Sequence, residues 1–286
     1  MKISRRQWIS STGLSVGALA FGSLGCCGGC SSAPLTKRNQ LMLMSQPQEI
    51  QLGVQAYQEV LAEEKASSNA QYVDMVNRVG HRVAEAAERS DFDWEFSCLA
   101  NPTQNAFALP GGKVAIYEGI LPICETEAGL AVVMSHEVAH AIARHGAERM
   151  SQTMAVDTVK QFADQIAQKQ LPDRHERLMN AYGIATQYGV LLPYNRKQES
   201  EADHIGVMLM AKAGYDPREA PKFWQRFGGA KGDPQSPEFF STHPSDARRA
   251  ANLDKLLPEA MELYSSSQNQ IGTGNSISGG SQTPYC

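Results

Sequence analysis

The chain has 286 residues, of which 42% are hydrophobic and 20% are charged, a composition typical of a globular protein with a substantial core. Its formal net charge is −4, and loss of a leader that carries three positive side chains would take it to −7. This balance argues against nucleic acid as a partner, since binding it requires clustered lysine and arginine. After the leader, no segment reaches the ~20 apolar residues needed to span a bilayer.

The first residues, MKISRRQWISSTGLSVGALAFGSLGCCGGCSS, combine a basic start, a weakly apolar run and small residues with cysteines. This order predicts an export signal over residues 1–30, with an uncleaved membrane anchor as the alternative. The Arg5-Arg6 pair resembles a twin-arginine signal, and the cysteine-rich end resembles a lipoprotein processing site. Three cysteines are candidates for lipidation: Cys26, Cys27 and Cys30. The leader therefore predicts a membrane-tethered lipoprotein on the periplasmic side of a bacterial cell envelope.

The rest of the chain divides into a tether (31–46), one domain (47–262) and a Ser/Gly/Asn-rich tail (263–286) that we expect to be disordered. In chain order, the domain begins with two amphipathic helices, followed by a strand at WEFSCLA and a hairpin at NAFALPGGKVAIYEGIL. A strongly apolar helix follows, and the remainder is mostly helical. Cys98 and Cys124 either form a disulfide or remain buried thiols.

The apolar helix, AVVMSHEVAHAIARHGAERM, carries three polar side chains that need partners if the helix is buried. His136 and His140 are four residues apart, so they project from one helical face about a turn apart. This HExxH spacing lets two imidazoles hold one Zn²⁺ while Glu137 faces the bound water. Zinc would therefore supply the missing partner.

Catalytic zinc sites generally use three protein ligands. The pattern HExxHxxGxxH does not supply the third, because Ala143 and Gly146 replace the required Gly and His. His145 lies five residues after His140, about 140° around a continuous helix, so we expect it at the surface or behind the ligands.

A second candidate ligand lies downstream in NRKQESEADHIG. Glu199 and Asp203 are four residues apart and share a helical face, whereas Glu201 faces roughly the opposite way. This geometry favours Glu199 as the third ligand, with Asp203 accepting the free N–H of a ligating histidine. Without the HExxH motif, the same stretch would be read as a solvated acidic face.

These motifs resemble the HtpX-like and OMA-like zinc metallopeptidases (metallopeptidase family 48), which include the CAAX prenyl proteases. The matching segments are NAFALPGGKVAIYEGIL, HEVAHAIARHGAERM, NRKQESEAD with HIGVMLMAKAGYDP, and FFSTHPSDARRAANL. The resemblance implies an α+β, mainly α-helical, zincin-like (gluzincin) domain with a small β-sheet beside the HExxH helix. It also implies one Zn²⁺ per chain on His136, His140 and Glu199, in the soluble, lipoprotein-type branch of the family.

The implied activity is that of a zinc endopeptidase in which Glu137 takes a proton from the zinc-bound water and delivers it to the leaving amine. His243, in STHPSDARR, has three interpretations that the sequence leaves open. It could stabilise the oxyanion with Arg248 or Arg249 behind it, occupy the fourth zinc position and keep the enzyme latent, or cap a helix starting near Pro244.

The implied substrates are misfolded or misassembled cell-envelope proteins, bound as an extended strand on the hairpin around 107–116. Two other interpretations remain. The chain could be a chaperone-like assembly factor with a latent zinc site, although an intact Glu137 favours the enzyme. Alternatively, His243 could complete a purely structural zinc site.

Overall fold

The computed structural model describes residues 30–33, 35–170, 174, 176, 179–180, 192–229, 243 and 248–277. Within these residues the chain is mainly helical and carries small sheets, which confirms the predicted α+β class. The helices are α1 (Gln46–Glu63), α2 (Ala70–Ala87), α3 (Leu121–Cys124), α4 (Glu127–Ile142), α5 (His145–Gln170), α6 (Leu192–Lys212), α7 (Glu219–Gly229) and α8 (Arg248–Ser266). The strands are β1 (Cys30–Ser32), β2 (Asn39–Leu41), β3 (Glu95–Leu99), β4 (Ala106–Leu109) and β5 (Lys113–Tyr117).

The main sheet has the strand order β3-β5-β4, with β3 parallel and β4 antiparallel to β5. Strands β4 and β5 form the predicted hairpin, in which Phe107 lies opposite Ala115. Its turn contains Gly111 and Gly112, whose φ angles of 88° and 93° favour glycine. Strand β4 is an edge of this sheet.

Helix α4 runs through the core, and all 16 of its residues are buried. It begins as predicted at Thr126, whose hydroxyl accepts a hydrogen bond from the Gly129 N–H at 3.2 Å. Helices α2, α6 and α7 and the sheet pack around it. Polar side chains on α4 therefore have to find their partners inside the protein.

Helix α6 lies unusually close to α4 at Gly206. A Cβ atom at this position would be 3.1 Å from the backbone nitrogen of His136. The absence of a side chain allows the two helices to approach, and the approach brings the acidic side chains of α6 up to the histidines of α4.

The chain turns sharply between α4 and α5. Arg144 has a φ of 57°, a left-handed conformation that ends the helical path. Its guanidinium holds the buried carboxylate of Glu49 at 2.7 Å. Helix α5 then starts at His145, so its side chains do not continue the helical register of α4.

The N-terminal hairpin of β1 and β2 packs on this turn. Ala33 and Met42 are buried, and the side-chain amide of Gln40 donates to the carbonyl oxygen of Ala143 at 2.6 Å. This hairpin lies in the segment predicted as a tether, residues 31–46. The predictions for residues 1–29, including Cys26 and Cys27, fall outside the described residues, and Cys30 lies in β1.

The sequence predicts disorder from residue 263, whereas α8 continues to Ser266 and residues up to Ile277 contact the start of α4. The carbonyl oxygens of Thr273 and Asn275 accept the first N–H groups of α4, each at 3.0 Å. These contacts satisfy donors that every helix leaves unpaired at its N-terminus. Residues 278–286 lie outside the described part of the chain.

Cys98 and Cys124 are buried free thiols. Burial raises the pKa of Cys98 to about 11 and that of Cys124 further, so both thiols stay protonated at neutral pH. Among the helices that the structure describes, none combines the length and the apolar character needed to cross a bilayer.

Candidate metal centre

Four side chains that are distant in sequence meet beside the middle of α4. His136 and His140 come from α4, Glu199 comes from α6, and His243 lies shortly before α8. One ligand atom from each lies within 4.8 Å of the other three, and all four residues are buried. The structure thus brings together the predicted metal donors, with His243 as a fourth.

The spacing of the first three donors fits a zinc ion. His136 Nε2 lies 3.1 Å from His140 Nε2 and 3.3 Å from Glu199 Oε2, and His140 Nε2 lies 3.3 Å from Glu199 Oε1. A tetrahedral ion with bonds of about 2.0 Å would space its ligand atoms about 3.3 Å apart. Imidazole and carboxylate are also ligands that zinc accepts, so this donor set fits the metal in chemistry and geometry.

The carboxylate of Glu199 remains ionised in this setting. Burial by itself would raise its pKa, but the charge of His140 and hydrogen bonds from the neighbouring histidines hold the pKa well below its ordinary value. An ionised carboxylate is the form in which this side chain binds a divalent cation.

Glu137 lies next to this cluster and is also buried. Its Oε1 makes no hydrogen bond within the described part of the chain and lies 3.4 Å from His243 Nε2. Burial raises the pKa of this carboxyl. A buried carboxylate oxygen that makes no hydrogen bond and lies beside a metal site is the arrangement expected of a group that exchanges protons during a reaction.

His136 is oriented from behind by an acidic group. Asp203 Oδ1 lies 3.1 Å from His136 Nδ1, the contact that the sequence predicted. Arg249 donates to both carboxylate oxygens of Asp203 at 2.6 Å. The guanidinium carbon of Arg249 lies 3.4 Å from the centroid of the Trp224 ring, which adds a cation–π contact.

Of the two positions predicted for His145, the structure shows the one behind the ligands and not the one at the surface. It is fully buried, and its Nδ1 lies 2.8 Å from His140 Nδ1. It takes this position because α4 ends at Ile142 and the turn at Arg144 redirects His145 toward the centre. Glu201 faces away from the metal donors as predicted, and its Oε2 lies 3.0 Å from His145 Nε2.

His243 belongs to the cluster itself. Its Nδ1 lies 3.3 Å from His136 Nε2 and 3.1 Å from the carboxylate of Glu199. The possible helix cap near Pro244 concerns residues 244–247, which lie outside the described residues, and α8 begins at Arg248.

Sequence reasoning missed two residues behind the donors, Trp224 and Arg38. Trp224 stands in an ordinary amphipathic helix, and Arg38 lies in the segment predicted as a tether. Neither has a local motif, so only the folded arrangement reveals them.

Comparison with known proteins agrees with this geometry. Residues 70–257 match Peptidase family M48. The mitochondrial metalloendopeptidase OMA1 of Schizosaccharomyces pombe is 38% identical over 231 residues, which cover 79% of this chain and 66% of the relative. The OMA1 protein of Saccharomyces cerevisiae is 32% identical over 278 residues, covering 84% and 75%. The beta-barrel assembly-enhancing protease of Escherichia coli is 24% identical over 241 residues, covering 80% and 49%. The chain thus spans between about half and three quarters of the length of these relatives.

The predicted periplasmic location in a bacterium is contradicted by these relatives. The fungal relatives at 38% and 32% identity are both named as mitochondrial proteins. A basic segment without acidic residues is a feature of mitochondrial transit peptides as well as of bacterial export signals, so the first residues alone do not distinguish the two.

The match to Peptidase family M48 extends from the start of α2 into α8, and it contains the HExxH helix, the acidic helix α6 and His243. The chain therefore belongs to Peptidase family M48 and is a zinc metallopeptidase.

Proposed function

We propose that the chain is an endopeptidase that hydrolyses unfolded or misassembled polypeptides, with one zinc ion held by His136, His140 and Glu199. The observation that carries this proposal is the cluster in which two imidazole nitrogens lie 3.1 Å apart and 3.3 Å from the carboxylate oxygens of Glu199, with a buried oxygen of Glu137 that makes no hydrogen bond beside it. A chaperone-like factor with a latent zinc site would have no use for such a carboxylate. The competing binding role is therefore the weaker one.

When bound, zinc would supply Lewis acidity that activates a water molecule and polarises the peptide carbonyl. Glu137 would take the proton that this water loses and pass it to the leaving amine. Its buried position suits this role, because a raised carboxyl pKa lets the group hold a proton between the two transfers. Asp203 would hold His136 in the orientation that presents Nε2 to the metal.

We further propose that the substrate lies as an extended strand along the edge of β4. A groove of about 490 Å³ runs beside this edge, between α1 and the first turn of α5. Its walls are largely apolar and include Leu52, Ala108, Leu109, Ala147 and Met150. An apolar groove along a sheet edge suits an unfolded chain, which exposes both its backbone and its apolar side chains.

A charge placed in this groove should weaken substrate binding. Leu52 lines the groove and is 45% exposed, so we expect Leu52→Arg to fold normally and to raise KM for casein several-fold while kcat changes little. Leu61→Arg is the matched control, because Leu61 is 37% exposed on the same helix but does not line the groove. Steady-state kinetics give both constants. Equal KM values for the two variants would exclude this groove as the substrate site.

His243 is proposed to act as a fourth ligand that keeps the resting enzyme latent. Its Nδ1 lies as close to His136 and Glu199 as those donors lie to each other. A catalytic site needs an open position, and His243 stands where that position would be. In the alternative role, His243 would donate a hydrogen bond to the oxyanion and would not itself bind the metal.

Removal of His243 tests both latency and peptidase activity. We expect His243→Ala to cleave casein several-fold faster than the native protein, and both activities should stop when a chelator removes the metal and return with added zinc. The measurement is release of labelled peptides under saturating casein. A sharp fall in the rate of the variant would support oxyanion stabilisation and reject latency. Cleavage that continues in excess chelator would reject the metallopeptidase mechanism.

A further inference from the structure

The second ring nitrogen of His140 connects the metal centre to the N-terminal hairpin. His140 Nδ1 lies 2.8 Å from His145 Nδ1, and His145 Nε2 lies 3.0 Å from Glu201 Oε2. Glu201 in turn accepts a hydrogen bond from Arg38 Nε at 2.8 Å and one from the hydroxyl of Thr36. A continuous series of contacts thus runs from a metal donor to a residue about a hundred positions earlier in the chain.

The chemistry of these groups fixes the direction of each hydrogen bond. An ionised carboxylate only accepts, so the proton of neutral His145 lies on Nε2 and is donated to Glu201. His145 Nδ1 is then an acceptor, and His140 must donate to it from Nδ1. That leaves the lone pair of His140 on Nε2, the nitrogen that faces Glu199 and the other donors.

Arg38 anchors the far end of this series. Its Nη1 and Nη2 donate to the two oxygens of Glu148 at 2.7 and 2.6 Å, while its Nε binds Glu201. Both carboxylates are almost fully buried, and they belong to different helices, α5 and α6. A guanidinium can bind two carboxylates at once in a fixed planar geometry, so Arg38 sets where Glu201 stands.

We propose that Arg38 is a positioning residue for the metal centre. Through Glu201 and His145, it keeps His140 in the tautomer and orientation that present Nε2 to the metal. The inference rests on the proposed zinc site and adds a residue that lies outside the range matched to the family, 70–257. It makes the N-terminal hairpin of β1 and β2 part of the functional enzyme, so displacement of this hairpin loosens the metal.

The two histidines of α4 therefore differ in how they are held. His136 is oriented by Asp203 and Arg249, which both lie in the helical domain. His140 is oriented by His145 and Glu201, and Glu201 is held by Arg38 of the N-terminal hairpin. Loss of Arg38 should therefore affect metal retention and leave the contacts of His136 in place.

The experiment compares zinc release from the full chain, native and variant, into an excess of chromogenic chelator. We expect Arg38→Ala to release zinc about 10- to 100-fold faster than the native protein, in line with the loss of metal affinity seen when groups behind metal ligands are removed. The matched control is Arg78→Ala, because Arg78 also pairs with a buried carboxylate, that of Glu127, but outside this series. It should release zinc within about twofold of the native rate. Arg38→Lys keeps the charge but loses the planar two-carboxylate geometry, and an intermediate rate is expected.

Other measurements separate positioning from simple loss of stability. If Arg38→Ala fails to fold, the isosteric Glu201→Gln should still show faster zinc release. In the native, zinc-loaded protein, nitrogen NMR of labelled histidines should place the proton of His140 on Nδ1 and that of His145 on Nε2. A proton on Nδ1 of His145, or native zinc release by a folded Arg38→Ala or Glu201→Gln, would overturn the inference. A native protein that binds no zinc would instead overturn the proposed function.

Discussion

Replacement of Glu137 by Gln is expected to lower kcat/KM for casein by about 10³-fold without changing the zinc content. The amide has nearly the same shape as the carboxylate, so it preserves packing in the buried site but cannot accept a proton. The donors His136, His140 and Glu199 are untouched, so metal binding should persist. The rates should be measured in the native and His243→Ala backgrounds, together with metal content.

A matched control separates loss of the proton acceptor from damage to a buried carboxylate in general. Glu219 is also buried and is held by Arg226 at 2.7 Å, away from the metal donors. Glu219→Gln should therefore cleave casein at close to the native rate. Equal cleavage by Glu137→Gln and the native chain would reject Glu137 as the base.

Replacement of Glu199 by Ala is expected to weaken zinc binding by more than about 100-fold, the upper range for groups that only support a ligand. The change removes the carboxylate that contacts both histidines of α4, each at 3.3 Å. The imidazoles that remain, those of His136, His140 and His243, carry no negative charge to balance the ion, so we expect zinc to be lost on dialysis. The chain should therefore lose most of its metal and its casein cleavage together.

The control for this variant is Glu259→Ala, which removes an exposed carboxylate from α8 that lies 3.9 Å from His204. It should retain native zinc content. Glu201→Ala is not a neutral control, because Glu201 contacts His145 and Arg38; we expect it to bind zinc more weakly than the native chain but more tightly than Glu199→Ala. Native zinc content in Glu199→Ala would show that a different group completes the site.

The sequence predicted the donors because each pair lies within one regular helix. His136 and His140 are four residues apart on α4, and Glu199 and Asp203 are four residues apart on α6. This separation puts each pair on one helical face, and it can be read from the local sequence. The predicted cap at Thr126 and the hairpin of β4 and β5 are also features that local sequence predicts. Those parts of the fold and site followed from short stretches of chain.

The parts that sequence reasoning missed depend on contacts between distant segments. The sequence left His145 either at the surface or behind the ligands, because the local pattern does not reveal the left-handed turn at Arg144, whose side chain binds Glu49 on a different helix. Arg38 is separated by more than a hundred residues from both carboxylates that it binds. No periodicity encodes such a pairing.

The close approach of α4 and α6 also depends on a contact between distant segments of the chain. Gly206 permits it, but a glycine in a helix carries no signal of which partner helix it will face. Likewise, the tail after Ser266 has the composition of a disordered segment, yet its carbonyl oxygens at Thr273 and Asn275 complete the first turn of α4. Composition describes only the segment itself. It does not reveal that the segment will pair with the free N–H groups at the start of α4.

The most direct test of this account is the metal content of the native chain, purified without chelators and measured by inductively coupled plasma mass spectrometry. Two imidazoles and a carboxylate at the spacing found here should hold one zinc ion per chain through gel filtration. A protein that is folded by circular dichroism yet carries no zinc, and takes up none when zinc is supplied, would contradict it.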